Sequence, residues 1–286
     1  QAAGGYLEYD SADETYLLPD EQAFVFTDEN SPVYMGGGAL AFYSVFYAAD
    51  RKMMEAIKTG SGIHWGDHDE RLFEATERFF RPNYRANLTE SWIPALDGVE
   101  DRLKSGIRVG DIGCGHAAST IIMATEYPNS SFVGIDYHQG SIETAKQRVS
   151  DSGVGDRIGF EVAPANNYKT KDLDLVCFMD CLHDMGDPDG AALQAKKSLN
   201  PGGSVLIVEP FANDNTEDNF GPLGRLFYGA STFACTANGV AQGGGSRVLG
   251  AQAGEKRLSN VLKEAGFSEV RKASENAANM VLEARA

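Results

Sequence analysis

Cysteine is scarce in this chain. Its four residues, Cys114, Cys177, Cys181 and Cys235, sit in apolar or glycine-rich surroundings and lack the spacing of a disulfide framework. That pattern argues against a small cross-linked extracellular scaffold, and a reducing, cytoplasmic setting is expected. Basic residues are also in short supply: 25 Lys and Arg face 41 Asp and Glu, for a net charge of −16. Broad, non-specific contact with nucleic acid or anionic lipid is therefore disfavoured. No apolar run is long enough to span a bilayer, and no signal-peptide pattern, internal repeat or low-complexity tract is visible. The chain opens on Gln1 rather than Met, so the natural start is expected upstream.

What is present changes character along the chain. Residues 1–30 read as a hairpin and its exit, because "GGYLEYD" and "ETYLLPD" are short alternating runs on either side of a polar turn. Residues 31–100 read as mostly helical, with apolar positions at helical spacing, punctuated by Pro32, the 60–62 turn and Pro82. From about residue 101 strands alternate with helices. Runs such as "GIRVGDIG", "SSFVGID", "LDLVCFMD" and "SVLIVEP" are apolar on both faces, as strands of a covered parallel sheet are. After the helix "GEKRLSNVLKEAGF", the final two strands are joined by too few residues for a crossover and should pair antiparallel. The segment 211–250, glycine-rich and long for a strand-to-helix connection, reads as a lid-like insertion.

The stretch "RVGDIGCGHAAST" is the most informative. Gly113, Gly115 and Ala118 satisfy the G-x-G-x-x-G/A pattern of a dinucleotide site. Asp111 opposes that reading, since a carboxylate beside two phosphates is repulsive, whereas a ligand with an ammonium group and no phosphate would welcome it. Asp136 closes the next strand, where an acid can accept hydrogen bonds from both ribose hydroxyls. Both aspartates could instead cap the helices that follow them.

With Asp111-Ile112-Gly113-Cys114-Gly115, Asp136, the "LNPGG" turn at 199–203 and "EAGF" at 264–267, the chain resembles the class I S-adenosylmethionine-dependent methyltransferases over residues 100–286. The resemblance implies an α/β fold: a Rossmann-like, doubly wound seven-stranded sheet whose last strand is antiparallel, here with a mostly helical N-terminal region. It implies S-adenosylmethionine as cofactor, held by Asp111, Gly113 and Gly115 at its methionine end and by Asp136 with Tyr137 at the ribose. Ala165 and Asn166 would flank the adenine, Pro164 standing where many relatives carry an acid. Asp180, at a strand tip, is a candidate for the cofactor's amine, with a structural cap as the alternative.

The upstream "GGYLEYD" and the internal "CFMDCLHDMGDP" look like the bacterial branch with an N-terminal winged-helix domain, of which residues 1–30 would be the wing and residues 31–100 a helical linker and cap. In that branch the winged helix serves dimerisation, so a homodimer is expected. "DCLHDMGDP" resembles the "LHDW" segment of small-molecule O-methyltransferases, and His183 falls on the general base. Histidine suits that task because its ordinary pKa lies near neutrality. A lone histidine there could equally serve backbone groups. A cation held by His183, Asp184 and Asp187 is a weaker alternative, since one local cluster does not show oxygen ligands gathered from separate loops; no metal is expected. Cys177 and Cys181 are read as core.

For the small-molecule acceptor the candidates are aromatic: Trp65 and Tyr84 in the N-terminal layer, Phe227 and Tyr228 in the insertion. Two competing functions remain open at this stage. One is an S-adenosylmethionine-sensing regulator that uses its winged helix, against which the acidic charge speaks. The other is an NAD(P)-dependent oxidoreductase.

Overall fold

A computed structural model describes residues 1–243 and 247–285. Residues 244–246, part of the expected insertion, and Ala286 lie outside the described residues. The N-terminal part contains β1 (Glu8–Asp10), β2 (Thr15–Leu17), α1 (Asp20–Phe26), α2 (Gly36–Phe46), α3 (Asp50–Thr59), α4 (Arg71–Asn87) and α5 (Val99–Ser105). Then follow β3 (Arg108–Ile112), α6 (Ala118–Glu126), β4 (Ser131–Asp136), α7 (Gln139–Ser152), β5 (Ile158–Val162) and β6 (Leu173–Met179). The chain continues through α8 (Pro188–Ser198), β7 (Leu199–Pro210), α9 (Pro222–Phe233) and α10 (Cys235–Ala241). It closes with α11 (Gly254–Glu264), β8 (Glu269–Glu275) and β9 (Asn279–Arg285).

The large sheet has the order β5-β4-β3-β6-β7-β9-β8. β3 pairs in parallel with β4 on one side and β6 on the other, so the strand order reverses there. This is the position at which doubly wound sheets open a crevice for ligands. β9 runs antiparallel to both β7 and β8, as the short final connection requires. Asn276 seals that turn: its backbone N–H bonds to the Asn279 carbonyl at 2.8 Å.

Each face of the sheet is covered, which explains why the central strands carry no polar alternation. On one side Leu88, Trp92 and Ile93 of the N-terminal layer pack with Met123, Tyr127, Phe132 and Val208. On the other, Ile112, Phe178 and Ile207 pack with Leu258, Val261 and Leu262 of α11. The N-terminal helices are thus a layer of the same core. α2 lies so close to α4 that a Cβ on Gly37 would stand 2.6 Å from the Arg78 carbonyl carbon.

The β1–β2 hairpin forms as expected, with Tyr9 opposite Tyr16. Two elements differ from the sequence reading. α1 occupies residues assigned to the hairpin's exit, where Asp20 and Glu21 place negative charge in its first turn after Pro19. The insertion is substantially helical: α9 begins at Pro222, whose fixed φ suits a first helical position, and its glycine content had concealed that pattern.

Candidate active site

The glycine turn after β3 is shaped by two left-handed residues, Gly113 (φ 70°) and Gly115 (φ 51°). At Gly113 a Cβ would collide with the Cys181 sulfur at 2.8 Å, whereas nothing lies within 4 Å of the Cβ position on Gly115. One glycine therefore lets the loop pack down, and the other leaves bare backbone facing open space. Asp136 holds this shape, since its carboxylate accepts from the Gly115 N–H at 3.0 Å and the His138 N–H at 2.8 Å. Burial pushes the Asp136 pKa up, and these backbone donors oppose the shift.

Asp111 has a different place from the one its motif suggested. It is fully buried behind the loop, and Oδ2 accepts from Ser119 (2.7 Å) and Thr120 (2.6 Å) in the first turn of α6. Burial raises its pKa to about 6 against those two hydrogen bonds. It is not among the residues that line the cavity described next. Oδ2 of Asp111, expected to face a ligand's ammonium group, thus fastens α6 onto the strand end, and Oδ1 is buried without a hydrogen-bond partner.

A cavity of about 590 Å³ opens over the glycine turn. Gly113, Gly115, Asp136, Tyr137, Ala165, Asn166 and Asp180 all line it, so the expected cofactor residues other than Asp111 converge. Trp65 and Tyr84 line it too, joined by Phe73 and Phe80 from α4. Phe227 and Tyr228 do not. They lie on α9, and Tyr228 borders a separate cavity of about 160 Å³ with Ser231, Thr236 and Arg257. The insertion reaches the main cavity through α10, where Asn238 accepts from the Trp65 N–H at 2.9 Å and donates to the Asp184 carbonyl at 3.0 Å. Gln242 adds a third tie by accepting from the Gly186 N–H at 3.1 Å.

Asp180 stands at the tip of β6 in the left-handed region (φ 49°), a strained conformation for a residue with a Cβ. Tyr84 donates to its Oδ2 at 2.9 Å and Asn279 to its Oδ1 at 2.7 Å. Burial, with the charge of Glu209 added, raises its pKa to about 8, while His183, Tyr84 and Asn279 work against the shift.

His183 is 4% exposed and does not line the cavity; its neighbour Asp184 does. Its Nδ1 is hydrogen-bonded to Glu209 at the end of β7, and Nε2 lies 3.0 Å from Asp184 Oδ1. Burial disfavours charge on the imidazole, but Asp184 and Glu209 outweigh it and hold the pKa well above its usual value. His183, expected as the general base, is thus enclosed between two carboxylates, and Asp184 rather than the imidazole stands on the cavity side. Asp187, weighed as a metal ligand from sequence, instead caps α8 through the Gly190 N–H (2.9 Å) and accepts from Asn166 (2.8 Å).

Several residues of the site escaped the sequence reading, among them Glu209, Glu77 and His116. Glu209 is the one acid in an apolar strand, "SVLIVEP", a signal that could have been used. Glu77 lines the cavity from α4, with Oε1 bound by Arg148 (2.7 Å) and Arg81 (3.1 Å) and Oε2 buried without a hydrogen-bond partner. In the sequence it is one of two acids, with Glu74, on an amphipathic helix. His116, within the glycine motif itself, lines the same wall, and burial together with Arg148 lowers its pKa to about 4.

These features define a Rossmann-like nucleoside-type site at a sheet switch point, roofed by aromatic residues. The family described as "Methyltransferase domain" matches residues 103–266, more than half of the chain, and the chain belongs to that family. This assignment displaces the oxidoreductase reading. The chain is 33% identical over 154 residues to 27-O-demethylrifamycin SV methyltransferase of Amycolatopsis mediterranei (strain S699), covering 52% of this chain and 51% of that protein. It spans about half the length of the curated relatives it resembles in this way. In fold it is similar to an O-methyltransferase family protein from Burkholderia thailandensis (TM-score 0.71, 17% identity, covering 99% of this chain and 80% of that one). Human N-acetylserotonin methyltransferase, solved with S-adenosylmethionine, gives a TM-score of 0.66 at 19% identity, covering 99% of this chain and 80% of that one.

Proposed function

We propose that this protein transfers a methyl group from S-adenosylmethionine to a hydroxyl of an aromatic or largely apolar small molecule. The observation that carries this reading is the continuity of one cavity from the Gly115 and Asp136 end to the Trp65, Phe73, Phe80 and Tyr84 wall. The open side of Gly115 and the Asp136 carboxylate suit a nucleoside without phosphates, and Asp180 and Tyr84 lie where the cofactor's amino-acid end would extend. The sulfonium is an activated electrophile when bound, so the protein's part is to align the acceptor, exclude water and receive a proton.

In this reading Asp184 meets the acceptor hydroxyl and takes its proton, while His183 and Glu209 act as positioning residues behind it. α10 closes the cavity as the working part of the insertion. Residues 1–30 form the wing of a winged-helix unit, 31–100 the linker and cap, and the protein works as a cytoplasmic homodimer.

The test is incubation with methyl-deuterated S-adenosylmethionine and the host cell's small molecules, read by mass spectrometry. A labelled product, formed about 100-fold more slowly by both Asp184→Asn and His183→Ala, is the expected outcome. A protein that binds the cofactor but labels nothing would shift the reading toward a sensor of S-adenosylmethionine. Unchanged turnover in both variants would remove the proton-transfer role from this pair.

A further inference from the structure

We propose that His183, Asp184 and Cys235 form a binding site for one borderline-soft divalent cation of the zinc class. A ring nitrogen of His183, a carboxylate oxygen of Asp184 and Cys235 Sγ all lie within 4.8 Å of one another, and the nitrogen nearest Asp184 is Nε2, 3.0 Å from Oδ1. Bonds of about 2.0–2.3 Å set one sulfur and two N/O ligands roughly 3.3–3.6 Å apart, so side-chain shifts of at most about 1.5 Å fit the trio to an ion. The donor set of one imidazole, one thiolate and one carboxylate is the mixture that zinc accepts and that magnesium or calcium does not.

A second, independent feature supports the site. The remaining ring nitrogen of His183, Nδ1, is hydrogen-bonded to the wholly buried Glu209. That is the carboxylate–histidine arrangement that fixes the tautomer and orientation of a metal-bound imidazole, leaving Nε2 as the ligand atom. On the metal side, the buried Asp184 Oδ1 lies 3.0 Å from Nε2.

The ligands come from two parts of the fold: His183 and Asp184 from the turn after β6, and Cys235 from the first position of α10. An ion there would pin the insertion to the active edge of the sheet. Asp184 lines the main cavity, which gives the ion an entry path and leaves the fourth tetrahedral position for water or a cavity ligand. Binding needs Nε2 without a proton and Cys235 as its thiolate, so uptake of the ion releases protons.

The test uses the full chain, stripped with chelator and titrated with Co²⁺ as a spectroscopic stand-in. We expect one equivalent to bind with a thiolate-to-cobalt charge-transfer band that Zn²⁺ displaces. Cys235→Ser should abolish the band, Cys181→Ser should keep it, and Glu209→Gln should weaken binding about 10–100-fold while the three ligands remain. Circular dichroism checks the fold of each variant. X-ray absorption of the zinc-loaded wild type, which needs no variant, should show one sulfur at about 2.3 Å. No stoichiometric uptake, or a zinc shell without sulfur, would overturn the site. None of these readouts involves methyl transfer, so their failure leaves the proposed reaction untouched.

Discussion

At the scale of single residues, the site is governed by how far burial outweighs hydrogen bonding to each carboxyl group. Asp180 is the sharpest case, with a pKa of about 8 in the folded chain against an ordinary 3.8. A carboxyl group raised in this way favours the folded state while it stays protonated there, and that contribution is lost as pH rises from about 4 to about 8. Asp180→Asn should therefore gain thermal stability relative to wild type across that window, with little difference at its acidic end. Melting curves of the two proteins at several pH values would show it; a constant offset would mean that Asp180 is ionised throughout. Asp111, Asp136 and Asp180 come from strand ends that look alike in sequence, but one fastens a helix, one shapes a loop and one is held by Tyr84 and Asn279.

Among the elements, α10 decides how the cavity is closed. Asn238 joins the Trp65 loop to the turn after β6, and its Oδ1 is also 3.4 Å from the Tyr137 hydroxyl. Asn238→Ala would leave the Trp65 N–H and the Asp184 carbonyl without their partner, at a cost of about 1–3 kcal/mol. The expected result is a rise in acceptor KM of about tenfold with a smaller change in cofactor affinity, measured by steady-state kinetics and a binding titration. Equal losses in both would place α10 in the framework of the site rather than in its closure. The sequence reading gave 211–250 as a lid and assigned acceptor contact to the aromatic pair on α9. Aromatic character marks burial, and it does not say against which neighbour.

For the molecule as a whole, the hydrophobic surface is unevenly distributed. Tyr9, Tyr16, Leu17, Phe24 and Phe26 in the first thirty residues are each more than 40% exposed, on elements with no buried side chain. A concentration of exposed apolar side chains of this kind fits an interaction face, in keeping with the proposed homodimer. Sedimentation of the wild type should give a dimer at micromolar concentration, and Tyr16→Asp with Leu17→Asp should shift it to monomer without altering the far-ultraviolet spectrum. A wild-type monomer at high concentration would assign that face to another partner.

The sequence by itself determined the α/β class, the strand at 108–112 with its glycine turn, the acid at the end of the next strand and the antiparallel finish. Each of these rests on local physics: apolar runs long enough for covered strands, glycines where φ must be positive, and a connection too short to cross over. Tertiary structure alone decided that Asp111 faces inward, that Phe227 and Tyr228 stand apart, and that Glu77, Asn238 and Glu209 belong to the site. It also decided that His183 is enclosed between Asp184 and Glu209, 26 positions away along the chain. A pairing between distant residues depends on which helix packs over which strand end, and no local pattern carries that information.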